Sequence, residues 1–211
     1  MEIYKFVFSP IEVNTYILAD DSGDCAIIDC GCYDKYEFEK LTDFIEEKKL
    51  NPVLLLNTHC HLDHIFGNGM ILRKYNLGTY CSQSDEMNRK SAVKHALFFG
   101  LTMDNPPEPA GFLNDGEEIT FGSVNLKALH VPGHSAGSLA FYCEKDSVVI
   151  TGDALFAGSI GRTDLPGGNY ETLINSIKTQ LFTLPPETVI YAGHGEETSI
   201  GTEMMNNPYF K

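Results

Sequence analysis

The run THCHLDH at residues 58–64 constrains this chain most, because four potential metal ligands fall within six positions. His59 and His61 are two residues apart, so on an extended segment both rings point to the same side. Asp63 and His64 follow at once, where the chain bends away. A catalytic metal that keeps an open position takes three protein ligands. The surplus of ligands therefore predicts two adjacent metal ions, about 3.5–4 Å apart in hydrolytic sites of this kind.

Three further residues of ligand type occur downstream, each beside glycine after a strand-like segment. They are His134 in VPGH, Asp153 in TGD and His194 in AGHG. Taken singly, each is typical of an ordinary turn. Together they indicate that a rigid sheet holds several ligands at one edge, where glycine allows a close approach of the backbone.

The rest of the chain alternates short strand patterns with amphipathic helix patterns. Helices are predicted at residues 34–49, 68–75, 84–100 and 169–181, the last capped by Asn169. Strands are predicted at residues 2–8, 14–19, 25–29, 52–56, 78–81, 117–121, 124–130, 138–143, 147–151 and 188–191. The simplest packing of this order is an α/β (α+β) fold, a four-layer αββα sandwich of two mixed β-sheets flanked by helices. We expect one domain over residues 1–211, with residues 84–112 as a candidate lid insertion.

The composition narrows the classes of partner. A formal net charge of −14 without a basic stripe argues against binding to nucleic acid or to anionic membranes. The first residues lack a secretory signal pattern, and no stretch approaches the roughly 18 apolar residues of a membrane span. A cytoplasmic location and free thiols at the six cysteines are therefore expected, with Cys60 turned away from its flanking histidines. A small-molecule substrate is the expected partner, and the sequence leaves the oligomeric state open.

Several of these motifs resemble those of the metallo-β-lactamase superfamily, namely THCHLDH, PGHSAGS, TGDALF and GHG. The resemblance covers nearly the whole chain, and Asp29 in IIDCG is similar to the first motif of that superfamily. Within it the chain looks most like the glyoxalase II group. The features in common are His64 directly after Asp63, Asp153 where true β-lactamases carry cysteine, and the loop GRTDLPGG. The ending GHGEETSIGTEMMNNPYF resembles short single-domain bacterial members of that group.

The resemblance implies a ligand set and a reaction. The implied metal ligands are His59, His61 and His134 for one ion, Asp63, His64 and His194 for the other, and Asp153 as the bridge. Asp29 is implied to orient a ligand histidine. The ions are expected to be zinc, with iron or manganese as alternatives. The implied activity is hydrolysis of S-acylglutathione thioesters, such as S-lactoylglutathione, by a metal-bound hydroxide that Asp63 also helps to orient.

Two alternatives to this hydrolase remain open. Persulfide dioxygenases also resemble the chain, including a GRTD loop, but they hold a single iron with two histidines and one aspartate. A non-catalytic metal-binding domain is disfavoured, because every ligand position is filled. Two-domain glyoxalase II enzymes grip glutathione with a helical C-terminal domain, whereas only a short segment follows His194. We therefore expect weak binding of glutathione thioesters, seen as a high KM.

Two residues are candidates for contact with the substrate. Phe99 belongs to the candidate lid at residues 84–112, although it would equally serve to pack the helix. Arg162, in GRTDLPGG, lies close in sequence to Asp153 and can grip a carboxylate with two hydrogen bonds. An internal ion pair between Arg162 and Asp164 is the alternative.

Overall fold

Two six-stranded sheets face each other, with helices on both outer faces. This arrangement, seen in a computed structural model that describes residues 1–211, confirms the predicted αββα sandwich of mixed sheets. None of the helices combines the length and the apolar sequence that crossing a bilayer requires.

The first sheet has its strands in chain order. They are β1 (Glu2–Phe8), β2 (Val13–Ala19), β3 (Asp24–Ile28), β4 (Asn51–Leu56), β5 (Thr79–Cys81) and β6 (Gly111–Phe112). The pairs β1–β2 and β2–β3 are antiparallel, and the pairs from β3 to β6 are parallel.

The second sheet and a small hairpin contain the remaining strands. In chain order they are β7 (Glu118–Phe121), β8 (Val124–His130), β9 (Leu139–Cys143), β10 (Val148–Gly152), β11 (Leu155–Phe156), β12 (Ser159–Ile160), β13 (Val189–Ala192) and β14 (Thr198–Ser199). The sheet order is β14-β13-β10-β9-β8-β7, and β11 pairs with β12 alone. Only β10 and β13 run parallel in this sheet.

The six helices are α1 (Lys35–Glu47), α2 (Leu62–Ile65), α3 (Asn68–Tyr75), α4 (Glu86–Phe98), α5 (Tyr170–Ser176) and α6 (Ile200–Asn206). Four of the six, α1, α3, α4 and α5, lie in segments predicted to be helical. Short 3-10 turns occupy Gln83–Asp85 and Pro208–Phe210, and a π-helical segment, Ile177–Leu181, continues α5. The side chain of Asn169 accepts a hydrogen bond from the Thr172 amide, as predicted for a helix cap.

Strand β2 shows how the layers form, because it is buried on both faces. Tyr16 and Leu18 point into the core between the sheets, whereas Ile17 and Ala19 point toward the outer core beneath α1. Alternate residues of a strand face opposite sides, so one strand contributes to two cores. Each large apolar side chain that is fully buried in this way stabilises the fold by about 1.5–3 kcal/mol.

Some sequence predictions of local structure were incomplete. The segment 188–191 was predicted to be the last strand, but β14 follows it, and β6, β11, β12 and the helix α2 were not predicted. Residue 29 was assigned to a strand, but Asp29 has φ 52° and lies beyond β3. The continuous apolar run at 52–56 is typical of a strand covered on both faces, yet Pro52 to Leu54 are only half-buried.

The ends of several strands meet at one edge of the sandwich. Backbone hydrogen bonds join the two sheets there, from Asn14 N to Gly193 O at 2.7 Å and from Leu139 N to Thr58 O at 2.7 Å. The Tyr16 hydroxyl adds a bond to Ala192 O at 2.6 Å. The segments that follow β4, β8, β10 and β13 are thereby fixed next to one another.

Candidate metal centre

Three histidine rings converge at this edge. Nε2 of His134 lies 2.8 Å from Nδ1 of His61 and 3.1 Å from Nε2 of His59. His59 and His61 come from the segment after β4, and His134 comes from the turn after β8. All three rings are buried. The i, i+2 spacing thus does bring both rings of the motif to the same place.

A second group lies beside the first. Nε2 of His194 is 3.2 Å from Oδ2 of Asp63, and Nε2 of His64 is 3.6 Å from the same oxygen. The helix α2 begins directly after His61, and this turn directs Asp63 and His64 into the second group. A short helix was not predicted there, but the bend of the chain was.

The carboxylate of Asp153 lies between the two groups. Its Oδ2 is 3.6 Å from Nε2 of His134 in the first group and 3.6 Å from Nε2 of His194 in the second. Its Oδ1 is 3.3 Å from Nε2 of His64. The side chain is therefore within 3.6 Å of a histidine of each group.

Hydrogen bonds from Nδ1, the nitrogen on the side away from the two groups, fix the orientation of the His134 and His194 rings. Nδ1 of His134 donates to the Arg162 carbonyl at 2.8 Å, and Nδ1 of His194 donates to the Glu12 carbonyl at 3.0 Å. With the proton on Nδ1, the lone pair of Nε2 points into the site in each case.

Asp29, which the resemblance implies to orient a histidine, is hydrogen-bonded to His64 and to Thr58. Its Oδ2 accepts a hydrogen bond from Nδ1 of His64 at 2.9 Å, and its Oδ1 accepts one from the Thr58 amide at 2.7 Å. The Thr58 hydroxyl also donates to Asp29 Oδ2 at 2.6 Å. The left-handed backbone at Asp29 costs roughly 1 kcal/mol, and these buried hydrogen bonds offset it.

The electrostatics of the two groups differ. Burial, together with the neighbouring histidines, lowers the pKa of His61 to about 3 and that of His59 well below its usual value. Burial also acts to lower the pKa of His64, but the carboxylates of Asp153 and Asp63 outweigh it and raise that pKa well above its usual value. His59 and His61 therefore present neutral nitrogens, whereas the histidines of the second group lie among carboxylates.

The donor set suits a pair of cations. Nε2 of His64 and Oδ1 of Asp153 are buried without a hydrogen-bond partner, although buried polar atoms normally have one. The lone pairs of His59, His61 and His134 also point toward one another and repel unless a proton or a cation lies between them. A divalent cation in each group would satisfy all of these atoms.

Glycine leaves the space that such ions need. A Cβ built on Gly193 would overlap Oδ1 of Asp153 and approach Cε1 of His64 to 2.8 Å. A Cβ on Gly161 would overlap the Asp153 carbonyl and lie 3.0 Å from Nδ1 of His134. Larger residues at these positions would displace the side chains of both groups.

Sequence reasoning missed Asp85, which is fully buried behind the first group. Its carboxylate accepts hydrogen bonds from the Cys60 amide at 2.7 Å, the Gly137 amide at 2.8 Å and the Ser135 hydroxyl at 3.0 Å. Cys60 separates the two histidines of the motif, and Ser135 follows His134. Asp85 thus joins the two loops that carry the first group to the start of α4.

A cavity of about 460 Å³ opens over both groups. His61, Asp63, His134, Asp153 and His194 line its floor, and Phe98, Phe99 and Arg162 are among its walls. The guanidinium of Arg162 makes two hydrogen bonds to Asp164, at 2.7 and 2.8 Å. The structure therefore contains the Arg162–Asp164 ion pair that the sequence offered as the alternative to a contact with substrate.

The candidate lid at residues 84–112 divides into two parts. Leu101 and Met103 pack against the small core beneath α4. Phe98 is 84% exposed and Phe99 48% exposed, and both reach the cavity. Leu101 and Met103 therefore pack this segment against the protein. Phe98 and Phe99 instead face the cavity, as residues of a lid would.

The cysteines bear out the expectation of free thiols, and two further histidines lie outside the two groups. All six cysteines are free and buried, and Cys60 belongs to the core beneath α4, on the side away from the histidines. The neighbouring Cys81 thiol and burial raise the pKa of Cys60 well above its usual value. Nε2 of His130 bonds to the Ala136 carbonyl at 3.0 Å, a structural role, and His95 lines the cavity.

Comparison with known proteins places these features in a family. The model of the metallo-beta-lactamase superfamily matches residues 9–194. The chain is 40% identical to the probable metallo-hydrolase YqgX of Bacillus subtilis, over 99% of this chain and 97% of that protein. It is 39% identical to the hydroxyacylglutathione hydrolase GloC of Haemophilus influenzae, over 99% of this chain and 98% of that protein.

Solved structures agree in fold over the same length. The crystal structure of the B3 metallo-beta-lactamase BLEG-1 superposes with a TM-score of 0.92 at 31% identity and covers 100% of both chains. The crystal structure of TTHA1623 in a di-iron-bound form superposes with a TM-score of 0.88 at 35% identity, over 98% of this chain and 99% of that one.

Proposed function

The chain belongs to the metallo-beta-lactamase superfamily, and from this premise we propose that it is a dinuclear metal-dependent hydrolase of thioesters. Divalent metal ions are the cofactors that this superfamily implies. The observation that carries the proposal is the Asp153 carboxylate, 3.6 Å from a histidine of each group. A carboxylate between two groups of candidate ligands suits a site that holds an ion in each.

The residues that would hold the ions follow from the two groups. His59, His61 and His134 would hold one, Asp63, His64 and His194 would hold the other, and Asp153, which lies beside a histidine of each group, would serve both. Bound divalent ions lower the pKa of water toward ~7 and polarise a carbonyl oxygen. Zinc suits this set of nitrogen and carboxylate ligands, while the di-iron form of TTHA1623 supports iron as the alternative.

The protein itself contributes orientation and proton handling. Asp63 lines the cavity, and its carboxylate accepts a hydrogen bond from the attacking water and turns the lone pair of that water toward the carbonyl carbon. Asp29 and the carbonyls of Arg162 and Glu12 hold the histidine rings against rotation. A thiolate leaving group needs no strong acid, because the pKa of a thiol is only about 8.5. No cysteine serves as a nucleophile, since all six are buried.

S-Acylglutathiones are the first substrates to test, because GloC is named a hydroxyacylglutathione hydrolase. We expect purified protein to contain two metal ions per chain and to hydrolyse S-lactoylglutathione. Asp153→Ala should remove both ions, whereas His194→Ala should remove mainly one. Asp43→Ala, on the exposed face of α1, is the matched control and should retain both.

The rival activities give different results in the same experiment. One iron per chain with oxygen uptake on glutathione persulfide, and no hydrolysis of thioesters, would replace the proposal by a persulfide dioxygenase. Hydrolysis of a β-lactam but of no thioester would assign the activity named for BLEG-1. Equal loss of a single ion in Asp153→Ala and His194→Ala would refute the bridge.

A further inference from the structure

Most wall residues of the cavity above the two groups are apolar. Apart from the candidate ligands, its lining includes Ile11, Leu62, Phe98, Phe99, Leu165 and Pro166. These residues come from the turn after β1, from α2, from the end of α4 and from the loop after β12. Four separate segments therefore contribute apolar side chains to one opening.

The aromatic pair Phe98 and Phe99 lies at the end of α4, a helix that is tied to the following loop near its start. Arg89 is 4% exposed and donates to the Pro106 carbonyl at 3.2 Å and to Oε2 of Glu108 at 2.6 Å. These bonds tie the helix to the loop that follows it. The rings of Phe98 and Phe99 pack edge to face, with centroids 5.4 Å apart. Together the two rings form one wall of the cavity.

The walls offer little to an anionic group. The Arg162 guanidinium is already engaged by both oxygens of Asp164, which leaves His95 as the other basic side chain among the wall residues. The net charge of −14 also repels anions. Glutathione carries two carboxylates, and nothing among these residues forms a second, unpaired cationic contact for them.

We infer that the cavity accepts a thioester with an apolar acyl chain, which lies against Phe98, Phe99 and Leu165. This inference rests on the proposed thioester hydrolysis and specifies its substrate class. Each methylene of the acyl chain that leaves water upon binding lowers the Kd by up to about fourfold. Since the wall is open to solvent on one side, we expect kcat/KM to rise by roughly two- to threefold per methylene.

The test is a chain-length series on a neutral thiol. S-Acyl-N-acetylcysteamines from acetyl to octanoyl are hydrolysed by the metal-loaded protein, and log kcat/KM is plotted against chain length. We expect a positive slope that Phe98→Ala and Phe99→Ala both reduce. Leu97→Ala is the matched control, because Leu97 is 64% exposed on the same turn but does not line the cavity. A flat or falling slope, or one that survives both phenylalanine variants, overturns the inference while thioester hydrolysis stands.

A binding measurement decides the matter even if no thioester is hydrolysed. The chain has no tryptophan, so Phe99→Trp introduces a single tryptophan at the wall, whose fluorescence reports binding there. Titration with the non-hydrolysable thioethers S-ethyl- and S-octyl-N-acetylcysteamine should give a Kd at least tenfold lower for the octyl compound. Leu97→Trp should report little change. Equal Kd values for the two thioethers refute the apolar site, whereas octyl selectivity without hydrolysis refutes only the proposed reaction.

Discussion

Replacement of Asp85 by asparagine tests how the first ligand group is supported. Oδ2 of Asp85 accepts from the Cys60 amide and Oδ1 accepts from the Gly137 amide, and both sites are buried. An asparagine of the same shape has one oxygen, so its NH₂ group must face one of these two amides. One buried N–H then lacks an acceptor, which costs about 1–3 kcal/mol. For a chain of this length the melting temperature should fall by roughly 2–12 °C.

Urea unfolding in the presence of a chelator measures this loss apart from any effect of bound metal. The matched control is Asp34→Asn, the same chemical change at the exposed N-cap of α1, where aspartate accepts a hydrogen bond from the Glu37 amide at 2.9 Å. Asparagine caps helices as well as aspartate does, so this variant should change the free energy of unfolding by less than about 0.5 kcal/mol. The reasoning is refuted if Asp85→Asn is no less stable than the control.

Three further variants probe other parts of the site. Gly193→Ala should lower the metal content per chain, because its Cβ would overlap the Asp153 carboxylate, while Gly69→Ala, where a Cβ meets nothing closer than 3.4 Å, should not. Hydrogen bonds that Glu86 accepts from Arg89 lower the pKa of Glu86 to about 2. The contribution of Glu86 to stability is therefore present above the unfolded pKa of 4.5 and is lost as the pH falls toward 2. Urea unfolding of wild type and Glu86→Gln should thus differ by about 1 kcal/mol near pH 6 and converge in acid. Phe99→Ala should cost less than about 1 kcal/mol in urea unfolding, since the ring is half-exposed, and a loss of the 3–5 kcal/mol typical of a core phenylalanine would instead indicate packing.

Long elements were predictable from sequence because their patterns are long enough to read. The helix at residues 68–75 was predicted with the bounds that the structure gives it, and β8 likewise. The strands β6, β11, β12 and β14 have two residues each, too few for any periodicity. Tertiary contacts create them, so no local pattern announces them.

The same distinction holds at the site. Histidine and aspartate residues beside glycine at the ends of strands predicted which side chains would converge. The reason is that the ends of neighbouring strands meet at one edge of a sheet. Asp85 was not predictable, since its partners Cys60 and Gly137 are 25 and 52 positions away. The sequence also could not tell whether Arg162 binds a substrate or Asp164, because either partner would offer a carboxylate to the same guanidinium. The structure shows the bonds to Asp164.

The division of the site between the two sheets has a consequence for biosynthesis. The segment with His59 to His64 leaves β4 of the first sheet, whereas His134, Asp153 and His194 follow strands of the second. A nascent chain contains the four candidate ligands of the first sheet long before β13 is synthesised. The three candidate ligands of the second sheet can join them only when that sheet docks. Closing such long loops is slow, because chain entropy opposes it. Loading of the centre should therefore report completed maturation of the polypeptide, and stalled or truncated chains should remain empty.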